Sequence, residues 1–205
     1  MRTPQPRATL GLLGVTTAAW IAAELFGIAD RIADPAGFVP ARLGGYEIAE
    51  ALPLWLTPLS ATLIHSGLVH LACNMLMLVY CGRFVEFALG GRGLLILYVV
   101  GAYVAAAVQF AWSPYSIIPM VGASGAISAV VGCYSLLYGR RREGTGLWLH
   151  VFQLAAGWVF VQLLVGFATI GSGVSVAIAA HIGGFIAGLL MSRPLLMMRA
   201  RRFGA

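Results

Sequence analysis

Long apolar segments recur along the whole chain, and they constrain its fold more than any other feature. Of the 205 residues, 60% are hydrophobic and only 10% are charged, whereas a soluble domain has roughly 25% charged residues. A helix needs about 20 apolar residues to cross the hydrocarbon core of a bilayer. Six segments qualify, at about residues 8–28, 68–89, 94–112, 124–138, 147–170 and 176–191. The sequence therefore predicts an all-α membrane protein with six transmembrane helices.

The connections between these segments indicate a single domain that covers residues 1–205. Every connection except the first is short, and no internal repeat or low-complexity tail is present. The first connection, residues 29–67, contains four prolines and the apolar stretch 51–56. A polar loop of that length would be uncommon. We therefore expect a partly membrane-embedded or interfacial segment on the outer side.

The positively charged residues predict the orientation of the helices. All 13 are arginines, and 11 of them fall in alternate connections that would share one side of the membrane: Arg2, Arg7, Arg83, Arg92, Arg140, Arg141, Arg142, Arg193, Arg199, Arg201 and Arg202. Arginine is enriched in cytoplasmic connections, so both termini are predicted to be cytoplasmic. Both termini lie on the same side only if the number of helices is even. The first apolar run must therefore remain as a helix and not be removed as a signal peptide.

The placement of the charged residues argues against a nucleic-acid partner, and the placement of the cysteines argues against bound metal. The net charge of +6 is spread over helix ends and forms no basic stripe, so we expect no nucleic-acid partner. Cys73, Cys81 and Cys133 lie in apolar runs without a metal-binding spacing. We expect buried thiols, no metal and no cofactor, and the sequence makes no prediction about the oligomeric state.

Four polar side chains inside the predicted spans are candidates for function, because such residues are costly in a bilayer. His70 and Asn74 are four residues apart and share one helix face. Ser124 opens the fourth helix, and His181 lies in the sixth. Counted at ~1.5 Å per residue from the inner arginines, the four lie about 14–24 Å into a core ~30 Å thick. They therefore lie at comparable depths, below the outer surface.

Small residues line one face of the fourth helix and one face of the sixth. On the fourth they are Ser124, Ser128, Val131, Gly132 and Ser135, and on the sixth Gly184 and Gly188 follow His181. Faces of this kind let two helix backbones approach closely. The packing would place His181 beside Ser124.

This set of residues is suited to nucleophilic catalysis. A serine becomes a nucleophile when a base accepts its proton, and histidine is the usual base. No Asp or Glu is predicted at this depth, so a Ser–His dyad fits better than a triad. Acyl transfer also needs hydrogen-bond donors for the oxyanion, which His70, Asn74 and the backbone N–H of Ser124 at a helix N-terminus are placed to supply.

Three short motifs resemble the signatures of the rhomboid intramembrane serine proteases. Residues 70–74 (HLACN) resemble HxxxN, residues 122–125 (GASG) resemble GxSG, and residues 180–184 (AHIGG) resemble AHxxG. They occur in the family's order and on the second, fourth and sixth helices. The resemblance runs from about Trp55 to Ser192.

The resemblance implies a role for each matched residue. Ser124 would be the nucleophile, His181 the general base, and His70, Asn74 and the Ser124 backbone the oxyanion hole. Two glycines, Gly122 and Gly125, would shape the turn that exposes the serine, and Gly184 would allow close contact between the fourth and sixth helices. His65 matches a further histidine in many members, and Glu86 resembles a structural acidic residue.

The chain departs from the family pattern at two places. Members often carry an aromatic residue four positions after the nucleophile, packed on the catalytic histidine, and here that position is Ser128. Many also have a Trp-Arg pair in the first outer loop, for which Trp55-Leu56 is a poor match. The first departure raises the question of how the His181 ring is held.

The sequence thus predicts a serine endopeptidase that cleaves transmembrane segments of membrane-protein substrates near the outer face, with the fifth helix or the outer loop as a gate. The arginine-only, Ala/Gly-rich composition favours a bacterial cytoplasmic membrane, with the active site opening to the outer side. A protease that processes C-terminal membrane anchors and a pseudoprotease that binds helices without cleavage are the alternatives. A small transporter is disfavoured, because no inverted repeat is evident.

Overall fold

The described part of the computed structural model is helical, and it comprises residues 5–138, 147–168 and 177–202. Its five long helices are α1 (Arg7–Leu25), α2 (Leu68–Trp112), α3 (Ser124–Tyr138), α4 (Leu147–Ala168) and α5 (Ile178–Arg202). Within these ranges no strand is formed, and an isolated antiparallel bridge joins Phe38 to Met120. The predicted arginine-rich connection around residues 140–142 lies outside the described residues, as do the predicted helix boundaries at 170 and 176.

Helix α2 is broken at Gly90, whose backbone is far from helical (φ 76°, ψ 163°). A positive φ is readily adopted by glycine because it has no Cβ. The break divides α2 into segments 68–89 and 91–112, which correspond to two separate helices of the sequence prediction. Counted this way, the described residues contain six long helical segments.

Three described helices are long and apolar enough to cross a membrane: α1, α2 and residues Ile178–Arg201 of α5. Each of the two segments of α2, 68–89 and 91–112, is about 33 Å long at ~1.5 Å per residue, close to the ~30 Å of a bilayer core. Shorter apolar helices occur at Ser124–Tyr138 and Val151–Val161. Length and composition therefore identify three spanning helices where the sequence predicted six spans.

Two helix ends differ from the prediction. Helix α1 ends at Leu25 rather than at residue 28, because Gly27 and Ile28 turn back and donate to the carbonyls of Glu24 and Ala23, the hydrogen bonds of a Schellman motif.

Helix α5 was predicted to end at residue 191, before the polar stretch 192–194, but it continues through Pro194 to Arg202. Ser192 is accommodated because its side chain is buried and donates to Gly188 O at 2.7 Å. Leu195 is also buried and packs in the core.

The core surrounds α3, the most buried of the long helices. Ten consecutive residues, 124–133, are all buried, which is typical of a helix enclosed on every side. Segments of α2 and α5 cover it, with Leu78, Leu94, Leu97, Ile127, Val130 and Val131 among the most buried side chains. Cys81 and Cys133 are buried free thiols, as predicted, whereas Cys73 is only half-buried.

The first connection is folded into short helices and not into an open loop. These are Ala33–Ala36, Pro40–Gly44, Leu54–Leu56, Thr57–Ser60 and Ala61–Leu63. It is hydrogen-bonded to the stretch before α3, through the reciprocal pair Phe38–Met120 (3.1 and 2.8 Å) and from Gly122 N to Ala61 O (2.8 Å). The connection thereby fixes the path along which the chain enters α3.

Glu86 anchors α1 to α2. Its carboxylate accepts hydrogen bonds from the backbone N–H of Ala8 at 2.9 Å and of Thr9 at 2.8 Å, and from the Thr9 hydroxyl at 2.7 Å. The residue before α1, Pro6, provides no side-chain cap. Glu86 therefore caps the N-terminus of α1 from a different helix, satisfying two amides that α1 cannot pair itself.

We predict that Glu86→Ala lowers stability, because it leaves these first-turn amides without an acceptor. Losing hydrogen bonds to a charged group costs about 1–3 kcal/mol, equivalent to an apparent Tm lower by roughly 2–12 °C for a chain of this size. Thermal unfolding in one detergent measures the effect. Glu24→Ala, at the exposed end of α1, is the control, and an equal Tm for both variants would contradict the prediction.

Candidate active site

Ser124 and His181 are in direct contact. The serine is the first residue of α3 and the histidine is the fourth of α5. Ser124 Oγ lies 2.7 Å from His181 Nε2, and both residues are buried. This is the distance and pairing that transfer of a hydroxyl proton to an imidazole requires.

Close backbone packing of α3 and α5 makes this contact possible. A Cβ built at Gly184 would collide with the carbonyl oxygen of Gly125, and one built at Gly188 would collide with that of Ala129. From the other side, a Cβ at Gly132 would collide with Phe185 O. The two helices therefore touch at three places over about two turns of α3, with no room for side chains between their backbones there.

Gly122 forms the turn that leads into α3. Its φ of +105° lies in a region that L-residues with side chains rarely adopt. A Cβ there would lie 2.7 Å from both Cε1 and Nε2 of His70 and 3.8 Å from Ser124 Oγ. The His70 ring thus covers the turn, next to the serine hydroxyl.

Gly125 does not take part in that turn, contrary to expectation. It lies inside α3, where a Cβ would come within 2.7 Å of Ala105 Cβ on the second segment of α2. The residue contributes space for helix packing, on one side toward Ala105 and on the other toward Gly184. Of these two glycines, Gly122 is the one in the turn before Ser124, with a positive φ.

His70 and Asn74 share one face of α2. Ser66 Oγ lies 3.0 Å from His70 Nδ1, and when this hydroxyl donates, the ring proton is on Nε2, the end that faces Gly122. Asn74 Nδ2 donates to His70 O at 2.9 Å, and this nitrogen carries a second hydrogen. Asn74 Oδ1 is buried without a partner among the described residues. Both side chains therefore retain hydrogen-bonding capacity that these contacts do not use.

His65 supports the same turn from the preceding segment. Its Nε2 accepts a hydrogen bond from Ala123 N at 3.4 Å, and its ring is edge-on to that of His70, with centroids 5.0 Å apart. It is buried. His65 thus bonds to the backbone of the residue before Ser124.

Ser128 connects the serine turn of α3 to α4. Its hydroxyl donates to Ser124 O at 2.7 Å and accepts a hydrogen bond of 2.7 Å from Trp158 Nε1. The Trp158 ring lies edge-to-face with His181, with centroids 6.5 Å apart and an interplanar angle of 73°. The aromatic ring that contacts His181 therefore comes from α4. The residue at position 128 of α3 is a serine and has no ring.

Sequence reasoning missed Trp158 and Ser66. Trp158 is one of several aromatic residues in a uniformly apolar helix, so no periodicity distinguishes it. Ser66 precedes His70 by four residues but lies before α2 begins, so no helix-face spacing indicated its contact with His70.

Comparison with known proteins shows which family this sequence resembles. The profile of the Rhomboid domain matches residues 54–198. Rhomboid protease GluP of Bacillus subtilis is 30% identical over 152 residues, which are 73% of this chain and 28% of that protein. Rhomboid protease GlpG of Serratia proteamaculans is 34% identical over 71% of this chain and 50% of its own length. GlpG of Pectobacterium atrosepticum is 32% identical over 76% and 57%, respectively. The chain thus spans between 28% and 57% of the length of these three relatives.

We predict that Gly184→Ala destabilises the protein, because the new methyl group meets a backbone carbonyl that cannot rotate away. Overpacking of this kind costs about 1–3 kcal/mol. The matched control is Gly157→Ala on α4, where a Cβ has no atom within 4 Å and alanine favours the helix. Thermal unfolding in the same detergent should show a lower Tm for Gly184→Ala only. Equal values would show that α3 and α5 are not in backbone contact.

Proposed function

The chain belongs to the rhomboid family, and we propose that it is an intramembrane serine endopeptidase that uses a Ser124–His181 dyad. The observation that carries the proposal is the 2.7 Å contact between Ser124 Oγ and His181 Nε2 in a buried site at the start of α3. The relatives named as rhomboid proteases support the reaction class.

In the first half of the reaction, Ser124 Oγ attacks the carbonyl carbon of the scissile peptide while His181 Nε2 accepts the hydroxyl proton. The tetrahedral intermediate collapses when the C–N bond breaks, and His181 donates the proton to the departing amine. An ester between the substrate acyl group and Ser124 remains.

Water completes the reaction. His181 accepts a proton from the attacking water, and the hydroxide oxygen bonds to the ester carbon. The second tetrahedral intermediate releases Ser124 Oγ, which regains a proton from His181, and the acyl group leaves as a carboxylic acid. One water is consumed for each peptide bond cleaved.

Three donors are proposed to stabilise the negative oxygen of both intermediates. The N–H of Ser124 has no intrahelical acceptor because it opens α3, and the positive end of the helix dipole favours an anion there. His70 Nε2 faces the same turn, and Asn74 Nδ2 has a second N–H available. In a buried site such preoriented donors act strongly on developing charge.

A dyad is proposed in preference to a triad, and Glu86 supports this choice. Its carboxylate is the acidic group of α2, and it is engaged by the first turn of α1. Gly122, Gly125, Gly184, Ser128 and His65 are proposed to support the site through the turn and the helix packing described above.

The membrane arrangement proposed is one domain, residues 1–205, with six spans and both termini in the cytoplasm. The family and the apolar helices make the chain an integral membrane protein, and the bacterial relatives support the cytoplasmic membrane. The alternation of arginines supports a site that opens to the outer side. Substrates would be transmembrane segments of membrane proteins that unwind locally, because a helix holds its carbonyls in its own hydrogen bonds.

A pseudoprotease that only binds membrane helices is disfavoured by the Ser124–His181 contact, which binding alone does not need. Processing of C-terminal membrane anchors would use the same chemistry on a different substrate. Cleavage assays distinguish these activities.

We predict that Ser124→Ala and His181→Ala each reduce cleavage of a reporter membrane helix in proteoliposomes to background. The first removes the nucleophile and the second removes the base. Ser135→Ala is the control: this serine is buried on the same helix but donates only to its own helix, at Gly132 O. Undiminished cleavage by Ser124→Ala would exclude the proposed reaction.

We predict that Asn74→Ala lowers kcat about 10²–10³-fold, the usual effect of losing one oxyanion donor, with little change in KM. Asn74 would act on charge that develops only in the transition state, so substrate binding should be largely unaffected. Steady-state cleavage in proteoliposomes measures both constants. A change confined to KM would assign Asn74 to substrate binding instead.

A further inference from the structure

Trp158 is turned toward the protein interior, unlike its aromatic neighbours on α4. Its side chain is 3% exposed, whereas Phe152 and Phe160 are 68% and 60% exposed. The hydrophobic effect does not favour burying an aromatic ring in a membrane protein, because lipid tails solvate the ring as well as the protein interior does. The inward position of Trp158 therefore calls for a specific explanation.

The first contact that explains the inward position is a hydrogen bond. A buried indole N–H needs an acceptor, and the Ser128 hydroxyl provides it at 2.7 Å. The hydroxyl proton is committed to Ser124 O, also at 2.7 Å, so a lone pair of the oxygen is directed to the indole. The indole is thus fixed relative to the backbone of the nucleophile itself.

The other part is its position relative to the base. The edge-to-face arrangement with His181, at a centroid separation of 6.5 Å, is one that aromatic pairs favour. The torsion that orients a histidine ring has broad minima, and the hydrogen bond to Ser124 is lost once that oxygen carries the acyl group. The contact with the Trp158 ring does not depend on that hydrogen bond, so it remains during hydrolysis of the ester.

From this geometry we propose that Trp158 is a positioning residue, which holds the His181 imidazole in register with Ser124 while Ser128 holds the indole. The proposal rests on the endopeptidase function proposed above. Because Trp158 belongs to α4, the orientation of the base depends on where α4 lies against α3 and α5. Movement of α4 would thus affect catalysis directly, besides any effect on substrate entry.

The test compares Trp158→Leu, Trp158→Phe and Ser128→Ala with wild type, using the full chain in proteoliposomes. Cleavage of a reporter membrane helix gives kcat and KM, and a fluorophosphonate probe counts the competent sites, so that kcat is expressed per active site. Misfolding lowers the number of sites, whereas a misplaced base lowers the rate of each site. Phe160→Leu, on the exposed side of α4, and Ser135→Ala, on α3, are the matched controls.

We expect Trp158→Leu to lower kcat per site about tenfold, as loss of an aromatic pair and a hydrogen bond implies, with KM within about twofold. Trp158→Phe keeps a ring but loses the N–H, so it should retain more activity than Trp158→Leu. Trp158→Phe and Ser128→Ala remove the same hydrogen bond, so the double variant should be no worse than the more affected single variant.

Two results separate the proposals. If wild type cleaves and labels, but Trp158→Leu matches it in kcat per site, the positioning role is wrong and the endopeptidase function stands. If wild type neither cleaves nor labels, the proposed function itself fails. If Trp158→Leu does not fold, Trp158→Phe, Ser128→Ala and their double variant provide the test. Fully additive losses of kcat per site would contradict a hydrogen bond shared by the two residues.

Discussion

The contact between the backbones of α3 and α5 is the constraint on which the rest of this structure depends. At Gly132, Gly184 and Gly188, one helix occupies the space that a side chain of the other would need. Only this proximity allows a serine at the start of α3 and a histidine in the first turn of α5 to come within 2.7 Å. The small residues are therefore as necessary for the geometry as Ser124 and His181 themselves.

The start of α3 is buried, and it also carries a backbone amide with no acceptor in its own helix. A helix N-terminus leaves amides unpaired, which is costly in an apolar interior. Here the preceding turn is held by Gly122 N bonded to Ala61 O and by Ala123 N bonded to His65. The Ser124 amide opens the helix without an intrahelical acceptor, as the proposed oxyanion hole requires, while the two preceding amides are bonded to the first connection.

Much of this arrangement was predictable from the sequence, and the exceptions have a physical cause. Stripes of small residues and the four-residue spacing of His70 and Asn74 are local patterns, so they indicated which helix faces meet. The contact of Trp158 with Ser128 joins residues 30 positions apart across two helices, and no local pattern encodes it. The continuation of α5 past Pro194 was missed because the predicted segment followed the apolar run, whereas the helix continues beyond it and buries Leu195 in the core.

The central claim is that His181 activates Ser124. The most direct measurement is the site and rate of covalent labelling by a fluorophosphonate, followed by intact mass and peptide mapping of wild type and of His181→Ala. Activation of Ser124 by His181 predicts a single adduct on Ser124 in wild type and strongly slowed labelling in the variant. An adduct on another residue, or equal labelling rates in the two proteins, would contradict it.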